Sequence, residues 1–104
     1  MNMPTLSFTY YIAGPMVGVE EYNFPAFDEA TAKFKEQGFE VINPSDIARK
    51  NAYAKNVGVS ELSIRDYALP DLLQLIKKAT HIYMLNGWQY SKGAKAEHAV
   101  AEWL

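Results

Sequence analysis

Apolar residues alternate between two periods along this chain. Leu6 to Ala13 (LSFTYYIA) is dense in aromatic and β-branched residues, which predicts a first strand closed by the turn pair Gly14-Pro15. A polar loop over 17–23 follows. Pro25 then suits the first turn of a helix with Asn23 or Phe24 near its cap, and Phe27, Ala30 and Phe34 recur at helical spacing up to Gly38. Phe39 to Ile42 predicts a short second strand stopped by Asn43-Pro44. Residues 45–60 carry little periodic signal: 45–47 could begin a turn of helix, and 50–58 reads as polar loop. Leu69, Leu72, Leu73, Ile76 and Ala79 form an apolar stripe that predicts a core-facing helix. Because proline is tolerated in a first turn, Pro70 places its start near Tyr67 or Leu69, or implies a kink there. His81 to Leu85 predicts a third strand, and 91–103 a last helix with Ser91 as its cap.

Strands alternating with helices imply a parallel sheet with right-handed crossovers. The expected fold is a small α/β three-layer domain, flavodoxin-like, with a short parallel sheet ordered 2-1-3 and a single domain over 1–104. So narrow a sheet also suggests that a partner subunit covers apolar surface.

Composition narrows the function classes. A hydrophobic fraction of 49% supports a packed core, and a net charge of −2 offers no basic footprint for a nucleic-acid polymer. With no cysteine, disulfides and thiolate metal sites are excluded. No apolar run approaches the roughly 20 residues that span a bilayer, and Met1 to Pro4 lacks the regions of a signal peptide. A cytoplasmic protein without a membrane partner, metal or organic cofactor is expected. His81 and His98 lack companions at metal spacing.

In open parallel sheets ligands bind outside the carboxyl ends of the strands. Here those ends are Ala13-Gly14-Pro15, Asn43-Pro44 and Asn86-Gly87-Trp88, turns that also serve as ordinary strand punctuation. Glu97 is more specific. On a helix it leans over Gly93 and Ala94, two small residues that leave space before its carboxylate. Ser91, Lys92 and Gly93 offer a hydroxyl and free N–H groups to an anion. Asp71, on the preceding helix, is the second candidate carboxylate, and two carboxylates facing a sugar are the equipment of glycosyl transfer. Spacing alone leaves open that Glu97 is a solvated helix residue and Asp71 a carboxylate complementing the helix dipole.

Tyr11 to Met16, Asn23 to Phe27, Val41 to Pro44, the Asp71 helix and Gly87 to Glu97 together resemble the nucleoside 2-deoxyribosyltransferase-like proteins, in particular a small branch found in phages and bacteria. That resemblance implies cleavage or transfer of the N-glycosidic bond of a (deoxy)nucleoside or its 5′-monophosphate by a retaining mechanism. It makes Glu97 the nucleophile, Asp71 the acid/base or sugar anchor, and Tyr11, Gly14, Pro15, Asn43, Gly87, Trp88, Ser91 and Gly93 substrate-binding. Ser91 would lie near the 5′ group, Gly14 would allow close approach, and Trp88 would stack on a base or pack its loop. A homo-oligomer is implied as well. A nucleotide sensor without turnover, and a phage-encoded interaction module on the same fold, are the competing readings.

Overall fold

The computed structural model describes residues 8–104; the first part of the expected opening strand, Leu6 and Ser7, lies outside them. Strands β1 (Thr9–Ala13), β2 (Glu40–Ile42) and β3 (His81–Met84) form one parallel sheet in the order β2-β1-β3. Tyr11 pairs with Ile42 on one side and Ile82 on the other, so β1 is the central strand. Its last three residues are buried, as a central parallel strand covered on both faces requires.

Alternation along β1 divides the core in two. Ile12 points to α1 (Phe24–Glu36) and meets Phe27, Ala30 and Leu85. Tyr11 and Ala13 point to the opposite face, where they meet Leu75 of α3 (Ile64–Lys78), with Leu72 and Val100 of α4 (Lys92–Trp103) packed alongside. The domain is therefore α1, sheet, then α3 with α4. Pro25 occupies the first turn of α1, as predicted.

Two helices differ from expectation. The weakly patterned stretch after β2 is a full helix, α2 (Pro44–Lys55), started by Asn43, whose side chain accepts from the Ser45 N–H. Its buried residues are Pro44, Ser45, Ala48 and Ala52, all small, so no large apolar stripe announces it. Helix α3 begins at Ile64, well before Tyr67, and carries Pro70 inside it. Ser63 and Asp66 close its start with a reciprocal capping box. A proline at position 70 cannot donate to the carbonyl four residues back, at Asp66. The Asn51 Nδ2 of α2 donates to that oxygen at 2.6 Å instead. Proline is accepted inside the helix because a neighbouring helix takes the bond it gives up.

The apolar stripe of α3 also divides. Leu72 and Ala79 pack inward, whereas Leu69, Leu73 and Ile76 are 70%, 45% and 52% exposed. The side expected to face the core in one piece is split between core and solvent.

Candidate functional site

Three elements of the α3/α4 face bring chemistry together. Tyr11, fully buried on β1, donates its hydroxyl to Glu97 Oε2 on α4. Asp71 on α3 is 6% exposed, and its Oδ1 has no hydrogen-bond partner. Asp71 and Glu97 both act on the Tyr11 phenol, and the charge of Glu97 acts on Asp71, so the three groups share one desolvated space.

Burial dominates their proton equilibria. It pushes the Asp71 carboxyl up to about 8, with the Glu97 charge adding to the effect. It pushes Glu97 up to about 7, against the Tyr11 hydrogen bond, which favours the ionised form. The Tyr11 phenol is raised well above its ordinary value, first by burial and then by the two carboxylates, so it remains a donor. Near neutral pH the carboxyl pair thus shares about one proton. Both carboxyls release their protons far above the ordinary carboxylate range, and the phenol hydrogen bond favours the ionised form of Glu97. An anchored carboxylate beside a carboxylic acid can perform nucleophilic attack with proton transfer to a leaving group.

Other expected residues fall into two groups. Ser91 caps α4 by accepting from the Ala94 N–H at 3.1 Å, leaving the first-turn N–H groups of Lys92 and Gly93 without helical partners. A Cβ on Gly93 would meet nothing within 4 Å, so the helix surface at Gly93 is open.

Gly14, Pro15, Gly87, Trp88 and Asn43 are engaged within the protein. A Cβ on Gly14 would lie 2.8 Å from the Leu85 Cβ, so the close approach it permits is to the chain leaving β3. Gly87 adopts φ +85° in the turn after β3, with Pro15 packed against it. The Trp88 ring stacks on His98 of α4 at 4.6 Å, which favours loop packing over an open stacking platform. Asn43 spends its side chain on capping α2 and on Asp28, to which it donates at 3.0 Å. Asp28 in turn binds Arg49, at 2.7 Å, and the Ser45 hydroxyl, which holds its carboxyl down at about 2. That cluster ties α1 to α2 and is separate from the carboxylate pair.

Asp71 itself corrects one expectation. It lies in the interior of α3, one residue after Pro70, so it does not serve the helix dipole at a first turn. Tyr67 was not singled out in the sequence; burial and then the charge of Asp71 raise its phenol. Its position one helical turn before Asp71 was the available signal.

Two open clefts lie elsewhere. One, of about 440 Å³, separates α1 from β3 and includes Phe34, Tyr83 and Asn86; the other, of about 720 Å³, runs beside β2 between α2 and α3 and includes Asn43, Asn51, Pro70 and Gln74. Neither includes Asp71 or Glu97. The orphaned buried oxygen of Asp71 is the stronger mark of a ligand position, because a buried acceptor without a partner is costly. Among the described residues there is no cluster of three metal-ligating side chains, and no helix is long and apolar enough to cross a membrane.

Residues 8–104 match the family described as Domain of unknown function (DUF4406). The chain belongs to the DUF4406 family. No curated protein and no solved structure matches this DUF4406 chain.

Proposed function

We propose that this DUF4406 protein cleaves or transfers the N-glycosidic bond of a (deoxy)nucleoside or its 5′-monophosphate. The observation that supports the reading is the buried Asp71–Glu97 pair with the Tyr11 hydroxyl bound to Glu97. The resemblance of the surrounding motifs to nucleoside 2-deoxyribosyltransferase-like proteins supplies the substrate class. A carboxylate oxygen of Glu97 attacks the anomeric carbon, and the C–N bond breaks with its electron pair going to the base. The Asp71 proton passes to that base. In the second displacement the oxygen of water, or the nitrogen of an acceptor base, attacks the same carbon and gives its proton to Asp71. Glu97 leaves as a carboxylate, and configuration is retained. The open space over Gly93 and the first-turn N–H groups of α4 suit a 5′-phosphate.

Chromatography of nucleosides and 5′-monophosphates incubated with the protein tests this reading. Free base should appear, with a rate maximum between about pH 7 and 8, where Glu97 is ionised and Asp71 still holds its proton. Glu97→Ala should abolish release, and Tyr11→Phe should lower it while shifting the acid limb upward. Equal rates for Glu97→Ala and wild type would refute the assignment, as would binding of nucleotides with no base released from any of them.

A further inference from the structure

The two outer strands of the sheet are guarded differently. Free main-chain groups on an edge recruit further strands unless short length, charge or proline blunts them. Strand β2 is three residues long, carries the exposed Glu40, and runs beside the cleft that includes Asp46, Lys50, Asp66 and Lys78. Strand β3 reads His81-Ile82-Tyr83-Met84, without an acidic residue, lysine or proline, and its Tyr83 is exposed.

The free groups of β3 can be located. Leu85 donates its N–H to the Ala13 carbonyl at 2.8 Å, and main-chain direction alternates along a strand. Tyr83 and His81 therefore turn toward β1, while Ile82 and Met84 turn their N–H and C=O outward. A second observation agrees. The Met84 side chain packs with Tyr11 and Leu75 on the α3/α4 face, yet Met84 also borders the cleft of about 440 Å³ on the α1 face. It is the main chain of Met84 that the cleft meets. The opposite wall is one side of α1, where Ala26, Ala30 and Phe34 recur every four residues and Phe34 sets its ring against Tyr83 at 5.0 Å. From Ala26 to Gln37 that wall runs about 17 Å, the length of about five extended residues. Among the described residues bordering the groove only Glu29 and Lys33 are charged, and they meet each other at 3.8 Å. Asn23, Gln37 and Asn86 add uncharged carboxamides.

We propose that the β3 edge takes up an uncharged, extended segment of another protein, about five residues long, as a fourth strand lying in the groove against α1. Main-chain bonds to Ile82 and Met84 supply the pairing, and apolar side chains on alternate residues fill the space before Ala26, Ala30 and Phe34. Charge selects this occupant: the one cation of the groove is already paired, so an ionised side chain would be desolvated there without a partner. The β2 edge, with one outward residue between charged walls, is the internal contrast.

Amide NMR of the isotopically labelled chain tests this, with an acetylated, amidated five-residue peptide of alternating threonine and valine as the probe. Ile82 and Met84 signals should shift, saturate with a dissociation constant of about 0.1–1 mM, and exchange with deuterium more slowly, while β2 signals stay in place. Methylating every backbone nitrogen of the peptide, or placing glutamate at both valines, should weaken binding at least about tenfold. Tyr83→Lys puts a common guard on the edge and should also weaken it about tenfold, whereas Lys50→Glu in the β2 cleft should change nothing. The amide spectrum itself reports whether each variant is folded, and the modified peptides carry the test without any variant. Absence of shifts up to about 5 mM peptide would overturn the proposal. So would modified peptides that bind as tightly as the parent, shifts centred on β2, or indifference to Tyr83→Lys in a folded protein. The same Ile82 and Met84 shifts on concentrating the chain without peptide would overturn it too, by making a second copy the occupant.

Discussion

Replacing Asp71 by asparagine should stabilise this protein at alkaline pH, by an amount that vanishes in acid. The unfolded chain releases the Asp71 proton near 3.9, whereas the folded chain holds it to about 8. Between those values the folded state binds the extra proton, so unfolding free energy falls as pH rises. Four pH units at 1.36 kcal/mol each give a ceiling of about 5 kcal/mol. Relaxation and water reaching the carboxylate reduce the realised cost of a buried charge, and a gain of about 2–3 kcal/mol for Asp71→Asn at pH 9 is expected. Asparagine has nearly the shape of the protonated acid, so the two proteins should converge below about pH 4. The assay is urea unfolding followed by circular dichroism at pH 3.5, 5, 6.5, 8 and 9, at one fixed protein concentration. Wild type should lose stability across this range, with Glu97, raised to about 7, contributing in the same direction. If Asp71→Asn were less stable than wild type at pH 9, or if the difference did not change with pH, Asp71 would be an ion well held by partners. The account of an orphaned, protonated carboxyl would then be wrong.

Other consequences are equally direct. Asn51→Ala strands the Asp66 carbonyl and should cost about 1–2 kcal/mol in urea unfolding; in the Pro70→Ala background that cost should shrink, because the helix can satisfy the oxygen itself, and an undiminished cost would separate the two residues. Gly14→Ala drives a methyl against Leu85 and should destabilise by about 1–3 kcal/mol in thermal unfolding. The Asp28 carboxyl, lowered to about 2, contributes stability that is complete above about pH 4 and lost as pH falls through 2. Because Asp28 and Arg49 are nearly half exposed, Asp28→Asn should cost only about 1 kcal/mol at pH 7, with the cost shrinking as pH falls through 2, read by acid titration of the circular dichroism signal.

Strand order, α1, the third strand and α4 were all legible in the sequence, because each carries a periodic apolar signal and an explicit stop. Helix α2 was not, because Ala48, Ala52 and Ser45 bury little apolar area each and the surrounding lysines and asparagines read as loop. The start of α3 was misplaced because the rule against interior proline is local, while its relief by Asn51 comes from 15 residues earlier in the chain. At the candidate site, helical spacing put Glu97 over Gly93 and Ala94 but left open whether it was a solvated helix residue; its burial against Tyr11 comes from the docking of α4 on the sheet. The Tyr11 bond spans 86 residues of sequence, and no local pattern could have supplied it. The strand-end residues were legible as turns but not as packing: Asn43 and Trp88 reach Asp28 and His98, contacts that depend on how the helices dock.

Leucines on two flanks of α3 pose a problem of uniqueness. Rolled about its axis by roughly one residue's 100°, the helix would still bury Leu69, Leu73 and Ile76 against the sheet, so hydrophobicity by itself barely distinguishes two ways of seating it. What differs between them is polar and directional. Only one setting aims the carbonyl freed by Pro70 at Asn51, and only that setting keeps the Asp66 carboxylate beside Lys55. The proline that looks like damage to the helix therefore works as a key. It makes the wrong roll leave an oxygen unanswered, and so decides that Asp71, rather than a leucine, faces Tyr11.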